Sequence, residues 1–440
     1  MIALGKIKEL YRSLPPWMTA FVKYVPDSVL FGKSYRTCVP TCDVGAVQTN
    51  LKTTLDYSRE HTEWGRLNIP KTVALKDAES IVRQLPTVTS EQLRGEVGKF
   101  VSNEATAFNS YWTTTGETGK NPTNVCLSNS SYGIEWAHML AIWRLGGYVR
   151  KRDLKLTLRG YHFRPGEVLR RDPIYNEIGL DSFQLSGDNL HMVFDKIRKA
   201  GVSCIHGYPT LINSFMERLQ DVGLRLKVRE IMLGSEGASA AQKETIGKFF
   251  DAKVLSWYGL TEKVVLAYDE CADNRFKVFT SYGYPWIMNP DADGIGEIVG
   301  TTFVNNAMPL VNYQTGDYGK IIHDGNCMYI VQLQGRSGKD FILESPEIKY
   351  PVTAINLPGG VQDKIVFYQI VQNEYAKIEV LVLPRSEFAS KASAIQEELL
   401  GEIKSRLSNF EVSVRIVDDE SVFDRSKRGK LRMVVQNIPA

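Results

Sequence analysis

Val202-Ser203-Cys204-Ile205-His206-Gly207-Tyr208-Pro209 is an apolar run that stops at a glycine and a proline, as a buried strand does where it enters a loop. An amphipathic helical pattern precedes it over residues 189–199 and closes at Gly201; another follows over 210–222. The alternation continues with a strand at 228–233, a helix at 239–250 and a strand at 253–256. Strands separated by helices of about a dozen residues need crossover connections, which predicts a parallel sheet covered on both faces. Ligands of such sheets gather beyond the strand C-termini. Gly207-Tyr208-Pro209, Gly234-Ser235-Glu236-Gly237 and Trp257-Tyr258-Gly259 are therefore expected as loops on one rim.

Upstream, residues 132–145 read as a largely buried helix closed by Gly146-Gly147. Before it lies Thr113-Thr114-Thr115-Gly116-Glu117-Thr118-Gly119-Lys120. Gly116 and Gly119 allow successive N–H groups to turn toward an anion, the threonine hydroxyls add donors, and Lys120 adds a charge. It is not a P-loop, which needs four residues between its glycines and a Ser or Thr after the lysine. A surface turn has the same composition, so the loop alone leaves both readings open. Residues 77–85 suit a short helix, Thr89-Ser90-Glu91 suits a cap, and the irregular first 70 or so residues suit a wrapping segment. Between helix and strand, Arg150-Lys151-Arg152-Asp153-Leu154-Lys155 fits either a solvated surface or the footprint of an acidic acceptor.

Downstream, residues 296–301, 318–323 and 328–334 form a β-rich part. After Gly335 a hairpin is expected from 364–371 and 376–383 around Asn373-Glu374, then a helix over 387–407 and a final strand over 411–417. The fold class is α/β: a large N-terminal domain (1–335) of mostly parallel sheet flanked by helices, with a β-rich subdomain, followed by a small mobile α+β C-terminal domain (336–440).

At 440 residues, with 43% hydrophobic and 23% charged residues, the chain has material for more than one core and the composition of a globular protein. The net charge of +3 gives no reason to invoke nucleic acid. Six scattered cysteines make no disulfide framework, and Cys38 and Cys42 make a poor zinc half-site. No run is long enough to span a membrane, although the aromatic stretch 14–30 would allow peripheral association. A cytoplasmic location is expected.

Four further stretches place polar residues where open strand ends are expected. Trp257-Tyr258-Gly259-Leu260-Thr261-Glu262 offers an aromatic face, a hydroxyl and a carboxylate able to hold Mg²⁺; Glu262 could equally pair with Lys263. Asn312-Tyr313-Gln314-Thr315-Gly316-Asp317 places Asp317 after a turn, where it could accept ribose hydroxyls. Gly335-Arg336-Ser337-Gly338-Lys339-Asp340 stands at the domain boundary, and Ser426-Lys427-Arg428-Gly429-Lys430-Leu431-Arg432 forms a basic turn.

In this order and at these separations the stretches resemble the adenylate-forming superfamily of acyl-CoA synthetases. Ile205 to Thr210, Leu233 to Ala238, Tyr258 to Glu262, Glu270-Cys271, Asn306 to Leu310 and Tyr313 to Asp317 look like its phenylacetate-CoA ligase-related branch, found at bacterial capsular polysaccharide loci. The resemblance implies that a small carboxylic acid attacks ATP, giving an acyl adenylate and pyrophosphate, and that the acyl group then passes to CoA or to a sugar or amine acceptor. It implies that Thr113, Thr114, Thr115, Gly116, Thr118, Gly119 and Lys120 hold the β and γ phosphates. Thr261 touches phosphate and Glu262 ligates Mg²⁺. Ser235, Glu236, Gly237, Ala238, Tyr258 and Gly259 frame adenine, and Asp317 and Arg336 bind ribose. Lys430 is the catalytic lysine, and Lys339 or Asp340 is the hinge. The acid pocket draws on Tyr132, Gly133, Trp136, His206, Gly207, Tyr208 and Pro209, of which His206 also suits a buried core histidine and Tyr132 and Trp136 ordinary packing. Glu117 and Gln314 depart from the pattern, which keeps open a degenerate member that binds nucleotide or a partner without turnover. Cys271, Cys327 and His323 fall short of four zinc ligands, so no structural zinc is expected.

Overall fold

The computed structural model describes residues 22, 24–115, 123–159, 161, 163–334, 341–346, 349–351, 361, 364–407, 409–425 and 431–438. Helices α1 (Gly32–Thr37) and α2 (Val47–His61) belong to an N-terminal wrap. A two-stranded hairpin, β1 (Ser110–Thr114) and β2 (Asn124–Ser128), leads into α3 (Asn129–Arg144). Ser128 caps α3 by accepting from the Ser131 N–H, so the helix begins three residues before its apolar pattern does.

The core of alternating strands and helices then follows in chain order. It comprises β3 (Leu154–Leu158), β4 (Leu169–Asp172), β5 (Glu177–Leu180), α4 (Gly187–Ala200), β6 (Val202–Gly207), α5 (Pro209–Asp221), β7 (Glu230–Leu233), α6 (Ala240–Phe250) and β8 (Lys253–Gly259). Strands β5, β3, β6, β7 and β8 are mutually parallel neighbours, whereas β4 runs antiparallel to β5. The helices obey their end signals: Gly201 takes a left-handed φ of 73° after α4, and Ser239 closes a capping box on α6.

Two expectations are corrected here. Trp257-Tyr258-Gly259 is not a loop, because β8 runs through it and pairs antiparallel with β9 (Leu266–Asp269). The expected β-rich part is present. β10 (Phe276–Val278), β11 (Gly283–Met288), β12 (Gly296–Thr302), β13 (Tyr313–Asp324) and β14 (Cys327–Gln334) extend the same hydrogen-bonded sheet. Among the described residues it has twelve strands in the order β11-β12-β13-β14-β10-β9-β8-β7-β6-β3-β5-β4. Asp317 thus lies within β13 rather than after a turn, beside Gly316 at φ 75° and a register break against β12.

Beyond a short pair, β15 (Phe341–Leu343) and β16 (Lys349–Pro351), comes a C-terminal unit of β17 (Ile365–Glu374), β18 (Lys377–Pro384), α7 (Ala392–Arg406) and β19 (Glu411–Ile416). The strand over 411–416 is not the last. β20 (Val434–Gln436) returns to lie parallel with β17, giving the order β19-β18-β17-β20. The apolar core of this unit, including Ile370, Val380, Leu399 and Val412, contains no residue of the large sheet. Its attachment to α5 is polar. Ser214 and Arg218 donate to Glu420 at 2.8 and 2.6 Å, Arg385 pairs with Glu217, and Gln220 donates to Glu387 at 2.6 Å.

The basic run is surface only in part: Lys151 and Arg152 are exposed, whereas Arg150 and Lys155 are buried. Arg150 is 2% exposed, donating to Asp27 Oδ1 at 2.6 Å and to the Ile174 carbonyl at 3.0 Å, and so clamps the wrap onto the core. At the rim-distal end of the sheet, Glu230 opens β7 fully buried, and among the described residues neither carboxylate oxygen reaches a well-formed hydrogen bond. Gly146 makes room for it: a Cβ there would meet Glu230 Cδ at 2.2 Å. Among the described residues no helix is long and apolar enough to cross a membrane.

Candidate active site

Parallel register brings Leu158, Gly207 and Leu233 level, so the C-terminal ends of β3, β6, β7 and β8 share one rim. Close approach shapes it. A Cβ on Gly207 would lie 2.1 Å from the Leu158 carbonyl oxygen, and one on Gly234 would lie 2.2 Å from the Trp257 ring. Tyr208 and Pro209 then start α5, with proline at its first position, where the missing N–H costs nothing.

In the next loop Ser235 adopts φ 70°, and Ser235 and Gly237 are exposed, with Ala238 half-buried. Glu236 turns inward. Its Oε2 accepts from the Thr210 N–H at 3.2 Å and hydroxyl at 2.8 Å, while Oε1 accepts from the Leu431 N–H at 3.3 Å. The C-terminal unit therefore touches this loop one residue after Lys430. Lys430, Arg336, Lys339 and Asp340 lie outside the described residues.

Two carboxylates are presented where side chains of β13 meet those of the end of β8 and of the turn after it. Tyr258, half-buried, donates its hydroxyl to Asp317 Oδ2 at 2.8 Å, and the neighbouring Gly259 is exposed. Asp317 is also anchored through its N–H to Thr315 Oγ1 at 3.0 Å. Glu262 is 1% exposed and accepts from the Tyr313 hydroxyl at 2.7 Å through Oε1; among the described residues Oε2 has no hydrogen-bond partner. Lys263 does not neutralise it, because Lys263 takes φ 62° and pairs with Glu135 on α3. Half-buried Thr261 precedes Glu262 in the same turn. A buried carboxylate with an open oxygen is costly unless a cation or donor meets it, so Glu262 fits a metal ligand. Among the described residues no cluster of three His, Cys, Asp or Glu side chains could hold a metal alone.

Of the threonine loop, the base is described. Thr113 and Thr114 are half-buried in β1; Thr115 is buried and locks the hairpin, donating its N–H to the Thr123 carbonyl at 2.9 Å and accepting from the Thr123 N–H at 3.1 Å. Gly116, Thr118, Gly119 and Lys120 lie outside the described residues. Gln314, at the position that departs from the family pattern, donates to Thr87 Oγ1 at 2.7 Å and so fastens the N-terminal part to β13.

The residues expected around an acid fall into two groups. Tyr132, Gly133 and Trp136 hold α1 against α3. Trp136 stacks on Phe31 at 4.6 Å and on Tyr175 at 5.2 Å, Tyr132 shares a 2.8 Å hydroxyl contact with Tyr175, and a Cβ on Gly133 would sit 2.4 Å from Ser34 Oγ. His206 instead lies on the rim side, 5.2 Å from the Trp143 ring and 5.5 Å from the Trp257 ring. Burial, then the charges of Arg159 and Lys155, push its pKa well below the ordinary histidine value. Arg159 Nη2 lies 3.0 Å from His206 Nε2 and 3.5 Å from Nδ1, and a guanidinium only donates, so a neutral imidazole nitrogen accepts from it. Arg159 was not singled out from sequence, and Trp257 and Tyr313, read there only as parts of their motifs, gain their particular partners His206 and Glu262 from tertiary structure.

No family model matches the chain. Over 195 residues it is 25% identical to the phenylacetate-coenzyme A ligase of Thermus thermophilus, covering 41% of this chain. The match spans 43% of that relative, less than half its length. Among solved structures, 2-hydroxyisobutyryl-CoA ligase in the postadenylation state with R3-HIB-AMP superposes with a TM-score of 0.66 at 15% identity, over 89% of each chain. The open form of the same ligase, with 2-HIB-AMP and CoA, gives 0.52 at 14% identity, over 89% of this chain and 90% of that one. A benzoate CoA ligase from Burkholderia xenovorans LB400 gives 0.50 at 14% identity, over 75% and 69%. The chain has the fold of these acid–CoA ligases.

Proposed function

We propose, from this fold and rim, that the protein is an ATP-dependent acid ligase. It converts a small carboxylic acid to an acyl adenylate with release of pyrophosphate, then passes the acyl group to CoA or to a sugar or amine acceptor in capsule assembly, in the cytoplasm. The observation that carries the reading is Glu262, a buried carboxylate fixed on one oxygen by Tyr313 and open on the other, beside the Tyr258–Asp317 pair.

In this reading Asp317, oriented by Tyr258, accepts the ribose hydroxyls, and the exposed backbone of Ser235 and Gly237 borders the adenine. Glu262 holds Mg²⁺, which when bound offsets the charge that builds on the phosphoryl oxygens. The threonine loop and Lys120 bind the phosphates leaving as pyrophosphate. Lys430, delivered by the C-terminal unit, bridges the acid carboxylate and the α-phosphate; the contact between Leu431 and Glu236 supports that placement. Residues 336–440 act as a lid turning about Lys339 or Asp340, so that the acceptor reaches the adenylate once Lys430 withdraws.

The test is carboxylate-dependent exchange of labelled pyrophosphate into ATP. Glu262→Gln keeps the acceptor for Tyr313 but removes the charge, and is expected to slow exchange about 100-fold or more. Lys430→Ala is expected to suppress exchange while sparing attack on a supplied acyl adenylate. Full exchange in Glu262→Gln would reject the metal assignment. ATP binding with no exchange for any acid would favour a nucleotide-binding protein without turnover.

A further inference from the structure

We propose that Arg159 is a specificity-determining residue, and that the acid this protein activates carries a second anionic group remote from the reacting carboxylate. The inference rests on the ligase reading and names its substrate class. Lys155, Thr157 and Arg159 alternate along and just past β3, so they address one face of the sheet. That face is the one α3 covers: Trp143 of α3 lies against Lys155 at 5.4 Å, His206 at 5.2 Å and Trp257 at 6.1 Å.

Charge on this face is unevenly matched. Lys155, 1% exposed, pairs with Glu177 at 2.8 Å, and Thr157 also donates to Glu177 at 2.9 Å. Burial pushes the Glu177 pKa up, but Lys155, Arg159 and Thr157 more than offset it and leave it below the usual carboxylate value. Lys155 and Glu177 thus cancel. Arg159 remains exposed, with no carboxylate at ion-pair distance among the described residues and a neutral imidazole as its neighbour. A guanidinium has five donors, and His206 uses one direction of the fork.

Position gives the remaining argument. Arg159 follows β3, while the nucleotide-facing loops follow β7 and β8, two and three strands away in the sheet. At about 4.8 Å per strand, this is roughly 10–15 Å. An acid whose reacting carboxylate meets the α-phosphate at the β7–β8 end, and whose body crosses the Trp257 and His206 rings, points its far end at Arg159. A planar fork with unfilled donors recognises a carboxylate, phosphate or sulfonate there.

The experiment measures pyrophosphate–ATP exchange on matched pairs differing only in a distal oxyanion, such as butyrate with succinate and phenylacetate with 4-carboxyphenylacetate. The wild type is expected to favour one dianion over its partner by about 10- to 100-fold in kcat/KM, carried in KM, as one charge-assisted contact provides. Arg159→Leu is expected to bring that ratio close to one, and Arg159→Lys to keep part of it. A wild-type preference for the neutral-ended acids, or an unchanged ratio in Arg159→Leu, would overturn the proposal. If no acid supports exchange, the ligase reading fails. Calorimetric titration of wild type and Arg159→Leu with the same dianions in the presence of ATP then decides this inference: binding lost in the variant supports it, and no binding to wild type overturns it.

Discussion

Replacing Glu230 by glutamine isolates a buried carboxyl that no catalytic step uses. Burial raises its pKa from 4.5 to about 8; Arg229 and Lys253 pull it down and Asp153 pushes it up, without reversing the effect of burial. The sign follows from linkage. A carboxyl raised by folding binds its proton more tightly in the native state, so its contribution is fully present below the unfolded value and is lost as pH rises through the folded one. Each pKa unit is worth about 1.4 kcal/mol, so the whole shift corresponds to about 5 kcal/mol, of which roughly half falls between about pH 6 and pH 9. Urea unfolding at several pH values provides the measurement. Wild-type stability is expected to fall over this window by that much more than the stability of Glu230→Gln, whose amide fills the same space without titrating. The unpaired amide costs about 1–3 kcal/mol, which offsets the curves but leaves their slopes distinct. A wild-type to variant difference that stays constant across the window would refute the reasoning.

Two further perturbations address the wrap and the C-terminal unit. Gly133→Ala places a Cβ 2.4 Å from Ser34 Oγ and 2.5 Å from the Phe31 carbonyl oxygen, so it is expected to lower stability by about 1–3 kcal/mol despite alanine's helix propensity; a urea midpoint equal to or above wild type would contradict this. Glu420→Gln removes the charge that Arg218 and Ser214 grip. Because Glu420 and Arg218 are partly exposed, the loss is about 0.5–1 kcal/mol. It should appear as a larger radius of gyration in small-angle scattering at low salt, a change that high salt reproduces in wild type; equal radii would reject it.

The parallel core was legible because each helix and strand there combines an apolar period with a Gly, Pro or capping residue at its end, as Gly201 and Ser239 illustrate. Longer-range pairing was not. β8 continues through Trp257 to Gly259 because β9 offers hydrogen bonds, and β20 exists because β17 does; three residues such as Val434–Gln436 have no periodicity of their own. The motif containing Asp317 was visible, whereas its place inside β13 depends on the register break at Gly316. Arg150 misled a local reading, since its partners Asp27 and Ile174 are distant in sequence. Glu262 could be named, but the reason Lys263 does not neutralise it, namely that Lys263 turns to Glu135, belongs to tertiary structure.

The polar attachment of the C-terminal unit to α5 also bears on how temperature acts on the molecule. Heat-capacity changes track the apolar surface newly exposed to water. Because the apolar core of that unit holds no residue of the large sheet, lifting it away wets mainly Glu420, Arg218, Ser214, Gln220, Glu387, Arg385 and Glu217. Wetting polar surface lowers the heat capacity where wetting apolar surface raises it, so such a separation lacks the large positive change of global unfolding and its free energy does not follow the same dome with temperature. Counter-ions, which screen exposed charges over about 10 Å at moderate salt, then govern it more strongly than warming or cooling does.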